Sequence, residues 1–361
     1  VSLQHVQSVV ERRNTIPILS NVQLTADGGE LGLTATDMDI WVYDKTPAEI
    51  GQSGTTTAPA HMLFDIVRKL PEGSQVELGV AGDAGQLELR SGHSLFTLSC
   101  LPVEDFPATS NEDLAFQFQI PAADLGQLID KTRFAISTEE TRYYLNGVYI
   151  HAVSVGDLRA LRAVATDGHR LARVEVDLPD GAQEMPGVIL PRKAVLELRK
   201  LLEGAEGMVE VALSETKIRI NVGSTVLTSK LIDGTFPDYQ RVIPEGNNKI
   251  MTIAGGVFAE AVDRVSTISS DKSRAIKLSL SSGKLVLSAS SPDQGSASEE
   301  LSVDYESDDL DIGFNSRYVL DMTEQIQGDN IRFEMEDGAS PTVIIDGDDL
   351  RTVYVLMPMR V

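Results

Sequence analysis

The sequence predicts an α+β fold of three similar domains, each with two helices packed on antiparallel sheets. The first observation behind this is an aspartate that recurs beside strand-like segments, at Asp37 in TATDMDIWV, Asp167 in VATDGHRLARV and Asp293 in SASSPDQGSAS. The spacing is 130 residues from 37 to 167 and 126 residues from 167 to 293. Periods of this length correspond to whole domains, because solenoid repeats have periods of roughly 20–50 residues.

Two further features recur once in each repeat. A strand-rich block closes at CLPVEDFP from residue 100, at KLIDGTFPDY from 230 and at YVLMPMRV from 354. A helix is predicted after Pro59, Pro191 and Asn315, since proline and asparagine are both favoured where helices begin. We therefore predict three domains, which cover 1–113, 114–244 and 245–361. At roughly 120 residues, each is long enough for a hydrophobic core of its own.

The first domain opens directly in a helix-like segment, VSLQHVQSVVERR, and its second helix is predicted in HMLFDIVRKL. In the other two domains a strand precedes the first helix. By this internal comparison we expect the first domain to lack its first strand, of roughly 5–10 residues, which leaves an unpaired sheet edge near the N-terminus.

The second domain begins with LAFQFQIP, whose alternation of apolar and polar residues predicts a half-buried strand. The next segment has apolar residues close to helical spacing, at Leu125, Leu128, Ile129 and Phe134. Strands are predicted at NGVYIHAV, LRALRAVAT and LARVEVDL, then a helix at 192–203 that Gly204 stops. Three strands close the domain: MVEVAL, KIRINV and VLTSKLI.

The third domain repeats this order. A strand at KIMTIA precedes a helix in GVFAEAVDRVSTI, and strands follow at IKLSLS, KLVLSAS and SEELSVDY. The second helix is predicted at 316–326, before the strands IRFEME, TVIIDG and TVYVLM. The junctions near 107–115 and 243–249 are short, so we expect neighbouring domains to be closely joined.

Composition sets limits on function. The net charge is −23, with 54 acidic and 31 basic residues, which argues against an ordinary nucleic-acid binder because such proteins neutralise phosphates with Lys and Arg. The single Cys100 cannot form an intramolecular disulfide, and no signal peptide or membrane-length apolar run is visible. We therefore expect a soluble cytoplasmic protein, with Cys100 as a core thiol.

No motif in the sequence favours catalysis, a metal or a cofactor. The five histidines, at 5, 61, 93, 151 and 169, match no metal-binding spacing, and no phosphate-binding glycine loop is present. The acidic group of Asp346, Asp348 and Asp349 favours a solvated hairpin over a calcium loop, because no Glu stands at the twelfth position. Asp167 and His169 allow a hydrolase as an alternative, but the pattern favours a structured binding turn in which Gly168 supplies the unusual backbone angle.

Six segments carry a more specific signal in the order RNTIPILSNV (13–22), TATDMD (34–39), TRYYLNGVYI (141–150), VATDGHRLA (164–172), FPDYQRVIP (236–244) and MPMR (357–360). Together they resemble the bacterial DNA polymerase III beta subunit family, the sliding clamps, over essentially the whole chain. The resemblance implies a processivity factor without catalysis, whose two copies form a head-to-tail ring of six domains around duplex DNA.

Helix counting agrees with a ring of two chains. Six helices set side by side at about 10 Å each make a circle of roughly 60 Å, with a hole of only about 9 Å. Twelve helices give about 120 Å and a hole near 28 Å, which accepts a duplex roughly 20 Å across. A closed ring is retained topologically, so its outside can be acidic if its bore is locally basic.

The predicted helices and the family resemblance each indicate residues that would face the DNA. The predicted helices contribute basic side chains at Arg68, Lys69, Arg192, Lys193, Arg199 and Lys200, whereas the third counterpart has Arg317 beside Asp321 and Glu324, an uneven lining. The resemblance adds Arg13, Tyr143 and Tyr144, with the two tyrosines stacking on exposed bases or, alternatively, packing locally.

The resemblance also implies one peptide-binding pocket per chain, for polymerases, the clamp loader and repair proteins. Its residues from the second domain would be Leu145, Thr166, Gly168, His169, Arg170, Leu171, Pro237, Arg241 and Val242. Those from the third would be Asn315, Tyr318, Ser340, Thr342, Val355, Leu356, Met357, Pro358, Met359 and Arg360. The apolar members suit a groove, and Arg170, Arg241 and Arg360 are expected to rim it for acidic groups of a partner. The apolar C-terminal segment could instead be simple core.

Two further expectations concern the edges of the pocket and the dimer. Ser273 stands where some family members have an aromatic residue beside the pocket, which bears on partner preference. The resemblance places Phe106 against the helix around Thr267 and Ile268 of a second chain, although Phe106 could be ordinary core. The remaining alternative is a repeat scaffold that binds peptides without encircling DNA and is monomeric.

Overall fold

The computed structural model describes residues 1–80, 85–109, 113–156, 158–269, 274–347 and 349–361. Ser273 and Asp348, which the sequence singled out, lie outside these ranges. No helix in the described part of the chain is long and apolar enough to cross a membrane.

In its described residues, the first predicted domain has two α-helices and seven strands. In order they are α1 (Ser2–Gln7), β1 (Asn21–Asp27), β2 (Glu30–Thr36), β3 (Ile40–Pro47), β4 (Gly54–Pro59), α2 (Ala60–Val67), β5 (Glu77–Val80), β6 (Gln86–Ser91) and β7 (Ser94–Ser99). Helix α1 is shorter than its 13-residue segment suggested, because single i→i+3 turns replace the α-helix up to Val10. Helix α2 ends at Val67, so Arg68 caps it and Lys69 lies beyond it.

The second predicted domain has the order that the sequence indicated, with one additional strand, β12, directly before its second helix. Its elements are β8 (Phe116–Pro121), α3 (Ala122–Asp130), β9 (Gly147–Val155), β10 (Leu158–Thr166), β11 (Arg170–Asp177), β12 (Val188–Pro191), α4 (Arg192–Leu202), β13 (Met208–Leu213), β14 (Lys217–Val222) and β15 (Thr225–Lys230). Phe134 lies in a short 3-10 turn (Arg133–Ala135) after α3, so the helical pattern was extended too far.

The third predicted domain repeats the order strand, helix, strands, helix, strands. Its elements are β16 (Lys249–Ala254), α5 (Gly255–Ser266), β17 (Ala275–Ser281), β18 (Lys284–Ser291), β19 (Gly295–Ser302), β20 (Asp304–Tyr305), β21 (Leu310–Asn315), α6 (Ser316–Thr323), β22 (Asn330–Met335), β23 (Thr342–Asp346) and β24 (Asp349–Leu356). The Asn315 side chain caps α6 by accepting from the backbone N–H of Arg317, as its position before the helix predicted.

The chain divides into two compact units, and every strand pairing in them is antiparallel. One unit comprises 1–125, 179–186 and 193–231. It contains an eight-stranded sheet in the order β4-β1-β2-β3-β15-β14-β13-β8 and a three-stranded sheet in the order β5-β6-β7. The pairing of β3 with β15 joins a strand of the first predicted domain to one of the second. Strand β5 pairs with β6 alone among the described strands.

The other unit comprises 126–178, 187–192 and 232–361. Its nine-stranded sheet has the order β12-β9-β10-β11-β24-β23-β22-β16-β20, and a four-stranded sheet has the order β19-β18-β17-β21. The pairing of β11 with β24 joins strands of the second and third predicted domains. Because sheets continue across both boundaries, the limits at 113 and 244 stay predictions.

Apolar helix faces supply much of each core. Helix α5 buries Phe258, Ala261, Val262 and Val265, which stand at i, i+3, i+4 and i+7, and it contacts β16 to β19. Each large apolar side chain that is removed from water in this way contributes about 1.5–3 kcal/mol. With helices packed on antiparallel sheets, the structure confirms the predicted α+β class.

Candidate functional site

The turn between β10 and β11 is built by its own side chains. One carboxylate oxygen of Asp167 accepts from the backbone N–H groups of His169 (2.9 Å) and Arg170 (3.1 Å). The hydroxyl of Thr166 accepts from the backbone of Gly168 at 3.1 Å. Gly168 has φ +89°, which glycine adopts without steric cost. The prediction of a structured turn that depends on Gly168 is therefore confirmed.

The same turn occurs between β2 and β3, which explains the spacing found in the sequence. Asp37 accepts from the backbone N–H groups of Asp39 (3.0 Å) and Ile40 (2.8 Å). Met38 takes the place of glycine with φ 81°, an unusual conformation for a residue with a side chain. Asp293 also lies in a turn, between β18 and β19, but it accepts no comparable bonds in the described part of the chain.

The geometry does not support the hydrolase alternative. Both carboxylate oxygens of Asp167 are engaged in this turn, one by backbone N–H groups and the other by the Arg170 guanidinium at 3.1 Å. The His169 ring stacks on Tyr318, with ring centroids 6.4 Å apart. The two side chains therefore do not form an acid–base pair.

Arg170 is held on several sides within its own unit. Its guanidinium donates to Asp321 at 2.6 Å and to the backbone oxygen of Phe134 at 2.6 Å. It also lies 4.3 Å from the ring centroid of Tyr318 and 5.2 Å from that of Phe134, within the range of cation–π attraction. Only 10% of the side chain is exposed. Internal carboxylates therefore already neutralise Arg170, and its role at the rim of the groove for a partner's acidic groups stays a prediction.

Three of the predicted pocket residues share one buried cluster. Leu145, Leu171 and Val355 pack together, and in the strand register Leu171 lies opposite Val355. The same cluster contains residues that the sequence did not single out: Val164, Ile189, Phe236 and Tyr239. Two predicted apolar members remain exposed, Val242 by 51% and Met357 by 43%. We call this surface, with its floor at Leu171 and Val355, the candidate groove.

Backbone hydrogen bonds fix the C-terminal segment of the groove. The N–H of Met357 donates to the carbonyl of His169, and that of Met359 donates to the carbonyl of Gly313, both at 2.9 Å. A Cβ atom on Gly313 would lie 2.6 Å from the carbonyl oxygen of Met359, so this close approach requires glycine. Leu356 is buried, whereas Met357 projects, and the segment is therefore only partly core.

The remaining predicted pocket residues have varied settings. Thr342 is buried in β23 opposite Leu356, and Pro358 is half-buried. The backbone N–H of Ser340 donates to Asp337 at 2.7 Å. Arg241 pairs with Asp238 at 2.8 Å while most of its side chain stays exposed, and Arg360 and Pro237 are exposed. Within the described ranges, no hydrogen bond or ion pair links Pro237, Arg241 or Arg360 to the buried cluster.

A buried polar network supports the floor of the groove. The Tyr239 hydroxyl contacts the Nε2 atom of His151 at 3.0 Å and accepts from Arg162 at 2.7 Å, and Arg162 also donates to Glu175 at 2.7 Å. Burial lowers the pKa of His151 from its ordinary value, and the nearby Arg162 lowers it further against the opposing contact with the carbonyl of Ala152. His151 also stacks on Tyr149, with ring centroids 4.7 Å apart.

Several predicted DNA contacts are already paired with carboxylates. Lys193 binds Asp37 and, at 3.0 Å, Glu11, while Lys200 donates to Glu197 at 2.8 Å and Arg68 pairs with Asp65 at 2.9 Å. Arg199 is half-buried and engaged as well. Three of the predicted cations are exposed and form no ion pair with described residues: Arg13, Lys69 and Arg192. These three are the stronger candidates for phosphate contacts.

The two tyrosines predicted to stack on bases differ in exposure. Tyr143 is 53% exposed, whereas Tyr144 packs against the buried cluster of the groove. Their rings meet edge to face, with centroids 5.8 Å apart. Stacking of Tyr143 on a base stays a prediction, and the packing of Tyr144 agrees with the alternative of local packing.

The predicted dimer residues lie in different settings. Phe106 is buried with Ile18 and Leu19 in a cluster of its own chain, which agrees with the alternative of ordinary core. Thr267 is exposed just beyond α5, and Ile268 is half-buried.

The acidic hairpin is not fully solvated as predicted. Asp346 is buried, accepts from the backbone of Gln327 (2.9 Å) and Gly328 (2.8 Å), and lies 3.9 Å from the buried Lys131. Asp346 is thus a structural residue at the end of β23. No group of three or more His, Cys, Asp or Glu side chains able to hold a metal ion occurs among the described residues.

Comparison with known proteins identifies the family. Sequence models of the DNA polymerase III beta subunit match at residues 1–110 (N-terminal domain), 119–238 (central domain) and 240–360 (C-terminal domain). The beta sliding clamp of Caulobacter vibrioides is 52% identical over 360 residues, covering 100% of this chain and 97% of the relative. The beta sliding clamp of Escherichia coli K12 is 37% identical over 361 residues, covering 99% and 96%.

Solved structures agree with the sequence relatives. The sliding clamp of Bartonella birtlesii bound to griselimycin matches with a TM-score of 0.97 and 52% identity, covering 100% of this chain and 96% of that one. The DNA polymerase III subunit beta of Pseudomonas aeruginosa matches with a TM-score of 0.93 and 39% identity, covering 100% and 97%. The chain therefore belongs to the DNA polymerase III beta subunit family, the beta sliding clamps, which are non-catalytic processivity factors of DNA replication.

Proposed function

We propose that two copies of this chain close head to tail into a ring around duplex DNA and tether the replicative polymerase to it. We further propose that the candidate groove receives short peptide motifs of the polymerase, the clamp loader and repair proteins. The protein would act in the cytoplasm, without a cofactor, and its contacts with DNA would be independent of sequence. The domains would be 1–113, 114–244 and 245–361.

Membership of the sliding-clamp family over the whole chain carries this proposal. The charge of the chain is compatible with it, because a closed ring stays on DNA through topology and needs only local positive charge. Arg13, Lys69 and Arg192 are exposed cations on a chain of net charge −23 and would supply weak phosphate contacts. Contacts with base edges would stall sliding, so phosphate contacts suit this role.

The groove supports the binding of peptides. Its floor at Leu171 and Val355 is buried and apolar. Met357 is exposed two residues after Val355, and Val242 is exposed three residues after Tyr239 of the same buried cluster. Methionine adapts its shape to different apolar partners, which suits a groove that several proteins share. Of the three predicted rim arginines, Arg241 and Arg360 are exposed, and they would meet acidic groups of a partner.

For the ring, we propose that the surface at Thr267 and Ile268 contributes to a seam with the first domain of a second copy. Phe106 would support the first-domain side of that seam from within its own core instead of inserting into the partner. Thr267 caps the C-terminal end of α5 and is exposed, so a second chain can reach it.

Two measurements test this function together. Sedimentation equilibrium should give a species of twice the 39.1 kDa chain mass. On primed circular DNA with a clamp loader, adding the protein should lengthen the products of a clamp-dependent polymerase. A monomer, or unchanged product lengths with a wild-type dimer, would contradict the proposal.

A further inference from the structure

A cavity of ≈ 480 Å³ lies on the eight-stranded sheet, at the seam where β3 pairs with β15. Cavities that bind small ligands or side chains typically have volumes of about 300–1,000 Å³. The strands contribute Thr34, Trp41, Tyr43, Thr228, Lys217 and Arg219 to its lining. None of these residues belongs to the candidate groove or to the proposed DNA contacts. We call this cavity the first-seam cavity.

The first-seam cavity lies where β3 pairs with β15, and the groove floor lies at the corresponding pairing of β11 with β24. In the groove, Leu171 lies between Thr166 and Val355 in the strand register. Trp41 lies in the same way between Thr36 and Thr228. Leu171 and Trp41 each stand four residues after the aspartate of equivalent turns, at Asp167 and Asp37. The repeat therefore places two corresponding surfaces in one chain.

The chemistry of the two surfaces differs. Val164, Leu171 and Val355 form an apolar floor in the groove. Their counterparts by register are Thr34, Trp41 and Thr228, two of which carry hydroxyl groups. An apolar peptide side chain that fits the groove would leave these hydroxyls without partners, which costs free energy. The first-seam cavity is therefore suited to a more polar ligand.

The cavity also has a surplus of hydrogen-bond donors. Arg219 lies opposite Thr228 in the register and is exposed, and its guanidinium forms no ion pair or hydrogen bond within the described ranges. Lys217 also lines the cavity, but it is buried and already engaged, so Arg219 is the cation available to a ligand. Asp113 is the carboxylate that the described residues contribute to the lining. The buried indole N–H of Trp41 has no acceptor in the described part of the chain. A ligand with carboxylate oxygens matches this surplus.

The negative charge of the whole chain favours binding of an acidic ligand at this cavity over other parts of the surface. A net charge of −23 repels acidic ligands over most of the surface, so a locally basic cavity is where an acidic ligand can bind. Tyr43 is 37% exposed beside Trp41 and offers an aromatic wall. In a ligand that has an aromatic or apolar side chain next to a carboxylate, the carboxylate would meet the positive charge and the side chain would contact the aromatic wall.

We propose that the first-seam cavity is a second docking site, which binds a short acidic peptide segment of a partner protein. A Glu or Asp side chain meets Arg219, and a neighbouring aromatic side chain lies against Tyr43 and Trp41. The site rests on the repeat and on the lining of the cavity, not on the proposed function of the groove. One clamp could thus hold an apolar motif at one seam and an acidic motif at the other.

Trp41 is the single tryptophan of the chain, and its fluorescence reports on the cavity directly. The full-length protein is titrated with N-acetyl-Glu-Phe-Glu amide, with its Gln-Phe-Gln counterpart and with inorganic phosphate. We expect a saturable change with the acidic peptide alone. Arg219→Gln should weaken that binding by roughly tenfold or more, since hydrogen bonds to charged groups contribute about that factor. The control Arg90→Gln, on the separate three-stranded sheet, should bind as wild type.

The other outcomes overturn the proposal. Absence of a saturable change with the acidic peptide contradicts the site, and equal binding of the Gln peptide contradicts its acidic preference. The same change with phosphate shows a general anion site. Unchanged affinity in Arg219→Gln shows that the peptide binds elsewhere. Arg219→Gln should keep wild-type polymerase stimulation, so failure of this site is distinguishable from failure of the groove.

Discussion

The guanidinium of Arg170 donates a 2.6 Å hydrogen bond to the carboxylate of Asp321. The two residues are 151 positions apart, and their pairing ties the turn after β10 to helix α6. Arg170 also stacks on Tyr318 of the same helix. The turn and α6 both supply predicted groove residues, so we expect this ion pair to help hold the groove in shape.

Removing the Asp321 charge should loosen the groove. In Asp321→Asn the partly buried Arg170 loses a charged partner, which should lower the free energy of unfolding by about 1–3 kcal/mol. Affinity for a clamp-binding peptide should fall several-fold, as measured by fluorescence anisotropy. Glu324→Gln, which removes an exposed carboxylate just after α6, is the matched control and should change neither quantity. Tighter binding of an acidic peptide to Asp321→Asn would instead show that Asp321 competes with partners for Arg170.

Gly168 tests how the turn contributes to binding. Gly168→Ala places a Cβ at φ +89° and 2.6 Å from the flexible Arg142 guanidinium, whereas Gly283→Ala meets φ +71° with no atom within 4 Å. Both should lower the free energy of unfolding by about 1–2 kcal/mol, because both force a left-handed backbone on alanine. Peptide affinity should fall in Gly168→Ala alone. Equal peptide affinity in both variants would separate the turn from the groove.

His151 should make stability depend on pH. Burial lowers its pKa from the ordinary value of 6.5, so below that pH the unfolded chain binds a proton that the folded chain excludes. Stability should therefore decrease as the pH falls from about 6.5 to the pKa of the folded state, and should not change further below it. Thermal unfolding of wild type and of His151→Gln from pH 8 to pH 5 measures this difference. An equal slope in both proteins, or an NMR titration of His151 at or above its ordinary pKa, would contradict the assignment.

The hydroxyl of Tyr354 is expected to be dispensable. It is buried without a hydrogen-bond partner among the described residues, and burial raises the pKa of Tyr354. Tyr354→Phe keeps the edge-to-face contact with Phe134, at 5.6 Å between ring centroids. Its free energy of unfolding should equal that of wild type or exceed it by up to about 1 kcal/mol. A loss of more than about 1 kcal/mol in chemical denaturation would reveal a partner that the hydroxyl needs.

The salt dependence of DNA binding should depend on cations that have no carboxylate partner among the described residues. Arg192→Ala should reduce the salt dependence of binding to a short duplex, by about one unit of the log–log slope if Arg192 meets a phosphate. Lys193→Ala should leave that slope nearly unchanged, because Asp37 and Glu11 already neutralise Lys193. Filter binding between low and moderate salt measures both variants. A larger effect for Lys193 than for Arg192 would mean that DNA displaces the carboxylates.

Local patterns predicted the elements well. Alternation in LAFQFQIP and helical spacing in GVFAEAVDRVSTI mark β8 and α5, because each depends on which face of a single segment is buried. The turn at Asp167 was recognisable too, since its hydrogen bonds join residues at most three apart. The limits of α1 and α2 were less accurate, because helix ends depend on neighbouring packing.

Long-range pairs could not be predicted in this way. Arg170 looked like a free cation because Asp321 is distant in sequence, and Lys193 looked free because Asp37 is 156 positions away. The buried network of His151, Tyr239 and Arg162 likewise joins residues that only the folded sheet brings together. The sequence shows which side chains are charged. Whether a carboxylate neutralises a given cation depends on the tertiary fold.

The release of the protein from linearised DNA tests the central claim, topological retention, most directly. The protein is loaded on nicked circular DNA, free protein is removed, and a restriction enzyme then cuts the circle once. A ring that is held only by enclosing the duplex should slide off the ends, with uncut circles retaining it at the same salt concentration. Retention on the linear product at the level of the circle would contradict the account, because it would show that contacts, and not closure, hold the protein on DNA.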